Sequence, residues 1–319
     1  MPSRPADAIL TPVPAPGLTF DPGFLRRLER LAVVARRTLR GAGMGERRSK
    51  RHGGAVEFAD YRGYSPGDDT RRIDWYAYAR LETLFLKLFI EEQDLALHVL
   101  IDQSASMGTG ADPDAGRPSK LDFARQVGAA LAYVGLSAGD RVTVRAFRGG
   151  EAGPQLGPLR GRDAFLRLLR FLGQDPQAAG RSSLAQAART FVARRPTSGV
   201  VILLTDLLDP QQGATGYEEP LRRLRAAGHE PFVIHVVAPE EAAPEVGQDV
   251  DLEDAETGEV VSVALDRAAV QAYREAHARF RAEAEAFCRR AELGYVEART
   301  DVPFEDLVLG VLRRGALVR

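Results

Sequence analysis

The chain has 319 residues, of which 45% are hydrophobic and 27% charged, and its formal net charge is −1. That length can bury one large core, or a core domain with a smaller one beside it, and the near-zero charge excludes a general affinity for nucleic acid or anionic membrane. The single cysteine, Cys288, excludes an internal disulfide and reads as a small apolar helix residue, since no histidine stands close in sequence to make it a nucleophile.

Residues 1–17 hold five prolines and little that could enter a core, and they predict a flexible arm. From 21 to 40, Phe24, Leu25, Leu28, Leu31, Ala32 and Ala35 recur at helical spacing, with Asp21 as N-cap, Pro22 at the first position and an arginine-rich far face. Residues 41–54 combine glycines with a basic cluster. They lack the Gly-Lys-Ser/Thr ending of a phosphate loop and follow no strand, so a solvated loop is expected.

In the next stretch, residues 57–80, Ser65-Pro66-Gly67 predicts a turn and Asp68 or Asp69 a helix cap, with the helix running to about Arg80. Its alternating charges surround Trp75, Tyr76 and Tyr78. This pattern predicts an ion-pair network bracing the segment first, and a partner surface of Asp68, Arg72, Asp74, Trp75 and Arg80 second. Residues 84–90 alternate as a strand does.

Residues 95–101 form a short apolar run that stops at Asp102, which suits a strand buried on both faces of a parallel sheet. Ligands of open α/β sheets bind outside the carboxyl ends of the strands, where Asp102, Ser104 and Ser106 would lie. All three are hard oxygen donors. They are too few for a calcium cage but suit Mg²⁺, which keeps several waters in an octahedral shell.

Beyond this loop, helices are expected at 120–136, 163–172, 183–194, 221–227, 266–293 and 304–312. Strands are expected at 141–147, 154–159 (an edge), 200–204, 232–237 and 295–298. Strand 200–204 should lie beside 95–101 and bring Asp206 opposite Asp102. This alternation predicts a doubly wound, mostly parallel α/β sheet. Residues 239–259 interrupt it with nine acidic residues and no basic one. A hairpin around Glu256-Thr257-Gly258 is expected there, in a solvated acidic insertion that contacts a basic partner.

Asp102-x-Ser104-x-Ser106, followed by the loop Gly180-Arg181-Ser182-Ser183-Leu184 and by Thr205-Asp206, resembles the metal-ion-dependent adhesion site of von Willebrand factor A domains. Ser182 or Ser183 stands where that site has threonine, and Leu207 where it has glycine. The order Glu57-Phe58, Arg62-x-Tyr64, Gly67-Asp68, Arg72-Ile73-Asp74-Trp75 and Ala79-Arg80 ahead of it closely resembles the family called domain of unknown function 58. That resemblance implies an extension over residues 18–92 and a von Willebrand A-like domain over 93–319, with the insertion at about 239–265. It also implies Mg²⁺ or Mn²⁺ held by Asp102, Ser104, Ser106, Ser182 and Asp206, and a MoxR-type AAA+ ATPase as partner in maturing a client protein.

Histidine is scarce, and His98 and His235 fall in predicted strands, where a hydrogen-bonded structural role is expected. Catalytic motifs such as H-E-x-x-H and G-x-S-x-G are absent from the sequence. A metal-dependent protein-interaction module is therefore expected rather than an enzyme, and a Mg²⁺- or Mn²⁺-dependent phosphatase or nuclease using the same aspartates is the alternative. Arg181, in a metal-binding loop, could meet a phosphate or a partner's acidic residue. The apolar runs fall far short of the ~20 residues of a spanning helix, and no signal-peptide core opens the chain, so a cytoplasmic protein is expected.

Overall fold

The structure, a computed structural model, describes residues 18, 20–28, 56–64, 70, 73–91, 95–148, 153–174, 178, 180, 183–209, 215–242, 244, 249–264 and 266–313. The predicted arm, the 41–54 loop, Asp68, Arg72, Arg181 and Ser182 lie outside these residues. Two compact units emerge, one of residues 43–94 and one of residues 1–42 with 95–319.

In the smaller unit, strand β1 (Val56–Gly63) pairs antiparallel with β2 (Phe85–Glu91), with a register shift between Phe58 and Asp60. Helix α2 (Trp75–Leu81) starts later than the sequence suggests. The reason is local: Asp74 is the cap, its Oδ1 accepting the N–H groups of Tyr76 at 3.0 Å and Ala77 at 3.2 Å, two of the orphan donors of a first helical turn. The backbone N–H of Asp74 also bonds to the carbonyl of Phe85 at 2.9 Å, which ties α2 to β2.

The larger unit is built on a six-stranded sheet. In chain order its strands are β3 (Ala96–Asp102), β4 (Arg141–Phe147), β5 (Gln155–Leu159), β6 (Val200–Thr205), β7 (Glu230–Val237) and β10 (Gly294–Arg299); β8 (Asp249–Glu253) and β9 (Val260–Ala264) form a separate hairpin. The spatial order is β10-β7-β6-β3-β4-β5. All neighbours are parallel except β5, which runs antiparallel at the edge.

Parallel strands buried on both faces must send successive side chains into different cores, and these do. Leu97, Val99 and Ile101 of β3 join a cluster with Ile202, Leu204, Ile234 and Val236. That cluster is covered by the helix α1 at residues 22–28, α3 (Lys120–Ser137), α4 (Phe165–Gly173) and α9 (Phe304–Arg313). Leu100, Val201, Leu203 and Val233 face the other way, toward α5 (Leu184–Ala193), α6 (Glu218–Ala226) and α8 (Arg267–Arg290). This is an α/β sheet with helices on both faces, as the alternation in the sequence predicts. In α1, Asp21 Oδ2 accepts the Phe24 N–H at 2.8 Å as expected, and Phe24 stacks edge-on against Phe304, with ring centroids 5.4 Å apart.

At the start of β6 only glycine fits. A Cβ on Gly199 would stand 2.0 Å from the carbonyl oxygen of Ala96. Gly199 thus lets β6 enter the sheet hard against β3, and that pairing brings Asp102 and Asp206 to the same end of adjacent strands. A short helix α7 (Pro239–Ala242) follows β7. Among the described residues no helix is long and apolar enough to cross a membrane.

Candidate functional site

Two loops leave the carboxyl ends of β3 and β6 side by side, and hydrogen bonds lock them together. After Asp102 the chain turns so that the Ser104 N–H donates to Asp102 Oδ1 at 2.9 Å, a local closure that aspartate makes readily. From β6, the Thr205 hydroxyl donates to Asp102 Oδ2 at 2.7 Å and accepts the Leu207 N–H at 3.1 Å. Asp102 and Ser104 are fully buried and Asp206 is nearly so.

Leu207 has φ +61°, a left-handed conformation that a bulky residue rarely adopts, so the resemblance to a glycine-bearing loop has a conformational cause at this position. The strained turn aims two amide groups inward: Leu207 at Thr205, and Leu208 at Asp206 Oδ1 at 3.1 Å. Such strain concentrates at functional sites.

The loop before α5 also docks here. The carbonyl of Gly180 accepts the Ala105 N–H at 2.9 Å, and Ser183 caps α5 through its hydroxyl, which accepts from the Gln186 N–H. The Ser104 and Ser106 hydroxyls lie 3.1 Å apart, and Ser106 Oγ donates to Glu256 Oε1 at 3.2 Å.

Lys120 completes the site. Ser119 is the N-cap of α3, so Lys120 holds the first helical position, where its charge opposes the helix dipole. Its side chain is fully buried, with Nζ 2.9 Å from Asp206 Oδ2 and paired as well with Glu241 Oε1. Burial disfavours its charged form, but the charges of Asp206 and Glu241 outweigh that and raise its pKa, so the ammonium stays protonated. The Asp102 carboxyl is pushed up to about 7, first by burial and then by the charge of Asp206, against the hydrogen bonds from Ser104 and Thr205 that favour ionisation.

The donors assembled here, carboxylates of Asp102 and Asp206 and hydroxyls of Ser104 and Ser106, can hold a hard divalent cation. Lys120 is committed to the carboxylates of Asp206 and Glu241.

Asp206 also borders a cleft of about 240 Å³. Leu208, His235, Tyr273, His277 and Phe280 line it together with Glu241. His235 Nδ1 is 2.8 Å from the Tyr295 hydroxyl, and burial holds the imidazole pKa down to about 4, with His277, Lys120 and Arg281 adding to the effect against the charge of Asp206.

The family model described as "Protein of unknown function DUF58" matches residues 60–283. The chain belongs to the DUF58 family. Uncharacterized proteins Rv1480 of Mycobacterium tuberculosis and Mb1516 of Mycobacterium bovis are each 31% identical to it over 303 residues, spanning 93% of this chain and 92% of theirs. Among solved structures, the conserved hypothetical protein BatB from Bacteroides thetaiotaomicron is 17% identical, with a TM-score of 0.40 over 69% of this chain and 96% of that one. The pilus adhesin SpaC from Lactobacillus rhamnosus GG is 11% identical, with a TM-score of 0.44 over 71% of this chain and 31% of that one. Likeness at these scores is too distant to assign a function.

In this DUF58 chain the aromatic rings at the start of α2 stand outside any core: Trp75 is 60% exposed and Tyr76 86% exposed, and Trp75 packs edge-on against Tyr78 at 6.2 Å. Asp74 is buried and committed to the helix cap, while Arg80 is exposed. The acidic 239–259 segment is not simply a solvated loop, because Glu240 pairs with Arg117, Glu241 with Lys120 and Glu256 with Ser106. Three residues of the site, Lys120, Glu241 and Glu256, escape a motif reading, while Thr205 stands in the Thr205-Asp206 motif without a role assigned to it. Lys120 alone carries a sequence signal, a lysine set against the helix dipole directly after a serine cap.

Proposed function

We propose that this DUF58 protein is a metal-dependent protein-interaction module, a von Willebrand factor A-like domain whose adhesion site lies at the ends of β3 and β6. Ser104 and Ser106 hold Mg²⁺ or Mn²⁺ directly. Asp102, Ser182 and Asp206 hold it directly or through water. Asp206 suits the water-mediated role, since its oxygens already accept from Lys120 and Leu208. Ser182 is preferred to Ser183 because the Ser183 hydroxyl is engaged in capping α5. A position remains for a carboxylate from a partner, whose negative charge the bound cation attracts. The observation that carries this reading is the burial of Asp102 and Asp206 at one end of adjacent strands, beside two hydroxyls and with one ammonium between several carboxylates.

The proposed partner is a MoxR-type AAA+ ATPase acting with this chain on a client protein, as the order of motifs through residues 57–106 implies. The exposed aromatic side of α2, with Trp75, Tyr76 and Arg80, offers a second contact surface. Affinity capture with the tagged full chain in Mg²⁺ tests this: the ATPase should be recovered by wild type and lost with Asp102→Ala. Equal recovery by both would remove the metal site from the interaction.

A second reading follows from the cleft. His235 and His277 beside Asp206 are candidate bases near a metal, as a Mg²⁺- or Mn²⁺-dependent phosphatase or nuclease requires. Binding is preferred because the cleft lining includes no arginine or lysine among the described residues to neutralise a transferring phosphoryl group. Metal-dependent turnover of phosphomonoesters or phosphodiesters that disappears in Asp102→Ala and His277→Ala would reverse the preference.

A further inference from the structure

The cleft beside Asp206 has a lining that a metal site does not require. Two carboxylates, Asp206 and Glu241, border it together with Tyr273, His277 and Phe280 of α8, and Leu208, Val237 and Ala276 supply much of the remaining wall. Tyr273, His277 and Phe280 follow one another at steps of four and three residues, which sets them on one face of the helix. The Tyr273 and His277 rings lie parallel with centroids 6.0 Å apart, and Phe280 meets His235 edge-on at 5.8 Å. His235 is buried, whereas Leu208 and Tyr273 are each 45% exposed, so the cleft opens beside those two.

The charges around it leave the lining acidic. Lys120 is fully buried and outside the lining, and its one ammonium is shared by Asp206 and Glu241. Two arginines of α8 close to these rings in sequence are engaged elsewhere: Arg281 Nε donates to Glu297 at 2.7 Å, and Arg274 to the Pro244 carbonyl at 3.0 Å. Burial lowers the pKa of His235 to about 4 and also that of His277, so both rings are neutral at neutral pH. Ring faces and carbon that end at two carboxylates disfavour an anion, and they disfavour a hydrated metal ion that must keep its waters. They suit a cation that carries its own carbon.

Among such cations the guanidinium fits best. It is planar and weakly hydrated, stacks on aromatic faces and forks onto carboxylates, and its methylene stem packs on apolar surface. Since the lining includes no lysine or arginine among the described residues, the α-carboxylate of free arginine would meet no counter-charge. An arginine inside a peptide chain carries no such group.

We propose that this cleft receives an arginine side chain of a partner protein, with the stem along Leu208, Val237 and Ala276, the guanidinium on the Tyr273 and His277 rings, and its charge toward Glu241 and Asp206. The inference goes beyond the metal-dependent reading and needs no bound metal.

The test titrates the full chain in EDTA with three blocked tripeptides: Gly-Arg-Gly, Gly-Lys-Gly and Gly-citrulline-Gly, the last having the shape of arginine without its charge. Nuclear magnetic resonance of protein with isotope-labelled histidine reads the binding, and His277→Gln identifies the His277 signal. The arginine peptide should shift that signal and bind at least tenfold more tightly than the citrulline peptide, with the lysine peptide in between. Tyr273→Ala removes an exposed ring and should weaken arginine binding at least fivefold. Ala276→Leu keeps a good helix former and fills the cleft, and it should abolish binding. Glu275→Gln, at an exposed α8 acid outside the lining, should match wild type. Equal affinity for the arginine peptide and either of the others would overturn the proposal. So would arginine binding that survives Tyr273→Ala and Ala276→Leu unaltered, or a His277 signal that does not respond to millimolar arginine peptide. Because metal is absent throughout, each of these outcomes leaves the metal reading to its own titration.

Discussion

Lys120 Nζ lies 2.9 Å from Asp206 Oδ2, with the lysine side chain fully buried and the aspartate 2% exposed. The pair joins the first residue of α3 to the loop after β6, and Glu241 of α7 closes on the same ammonium. Three elements distant in sequence are therefore held by one charge. Such a pair contributes little over a well-packed apolar replacement, but breaking it from one side strands a buried charge.

Lys120→Met should accordingly cost about 3 to 5 kcal/mol in metal-free buffer. Urea unfolding measures this directly. Adding Mn²⁺ should return part of the loss, since a cation bound only by the native state stabilises it by mass action. An unchanged unfolding midpoint would mean that the ammonium does not neutralise Asp206.

Thr205 links the ends of β3 and β6, donating to Asp102 and accepting from Leu207. Thr205→Val keeps the shape and removes both bonds, leaving buried polar groups unpaired at a cost of about 1 to 3 kcal/mol. Thr205→Ser keeps the hydroxyl and should lose less. Thermal melts of the two variants distinguish a hydrogen-bonding role from simple packing, for which serine would be the worse substitution.

Acid should destabilise the protein through its buried histidines. Burial lowers the pKa of His98, of His229 and of His235, the last from 6.5 to about 4. The unfolded chain therefore takes up these protons first, so the histidines' contribution to stability is complete above pH 6.5 and falls as the pH drops toward 4, while Asp102, with its pKa raised to about 7, acts in the opposite sense. His235 alone accounts for a loss on the order of 3 kcal/mol across that window. His235→Asn, which can still face Tyr295, should flatten the slope of unfolding free energy between pH 6.5 and 5. An identical slope in both proteins would contradict the assignment.

Trp75→Ala should change stability by less than about 1 kcal/mol, as surface substitutions do. The ring is 60% exposed. A loss of about 3 to 5 kcal/mol, the range for emptying a core site, would show that this ring is buried in solution.

Much of the α/β order is legible in the sequence because period and punctuation agree: β3 and β6 are continuous apolar runs, and α3 and α8 open at Ser119 and Asp266. The pairing of β6 with β3, and hence the approach of Asp206 to Asp102, follows from the same pattern. Strand β1 has no counterpart in the sequence reading because its stretch mixes charged with apolar residues, and the start of α2 is misplaced because Asp68, Asp69 and Asp74 are equally good caps on paper. Glu241 and Glu256 are invisible as site residues for a different reason, and Lys120 shows only as a lysine set against a helix dipole. Their contacts join polar groups across 86, 121 and 150 positions of sequence, and no local spacing encodes such meetings.

Mn²⁺ titration of the full chain followed by electron paramagnetic resonance tests most directly the proposed cation site of Asp102, Ser104, Ser106 and Asp206. Wild type should take up one Mn²⁺ that Mg²⁺ displaces, and Asp102→Asn, which keeps the size of the side chain and removes its charge, should lose that uptake while remaining folded. Mn²⁺ bound equally well by Asp102→Asn, or not bound by wild type at millimolar concentration, would contradict the assignment of this site as a metal centre.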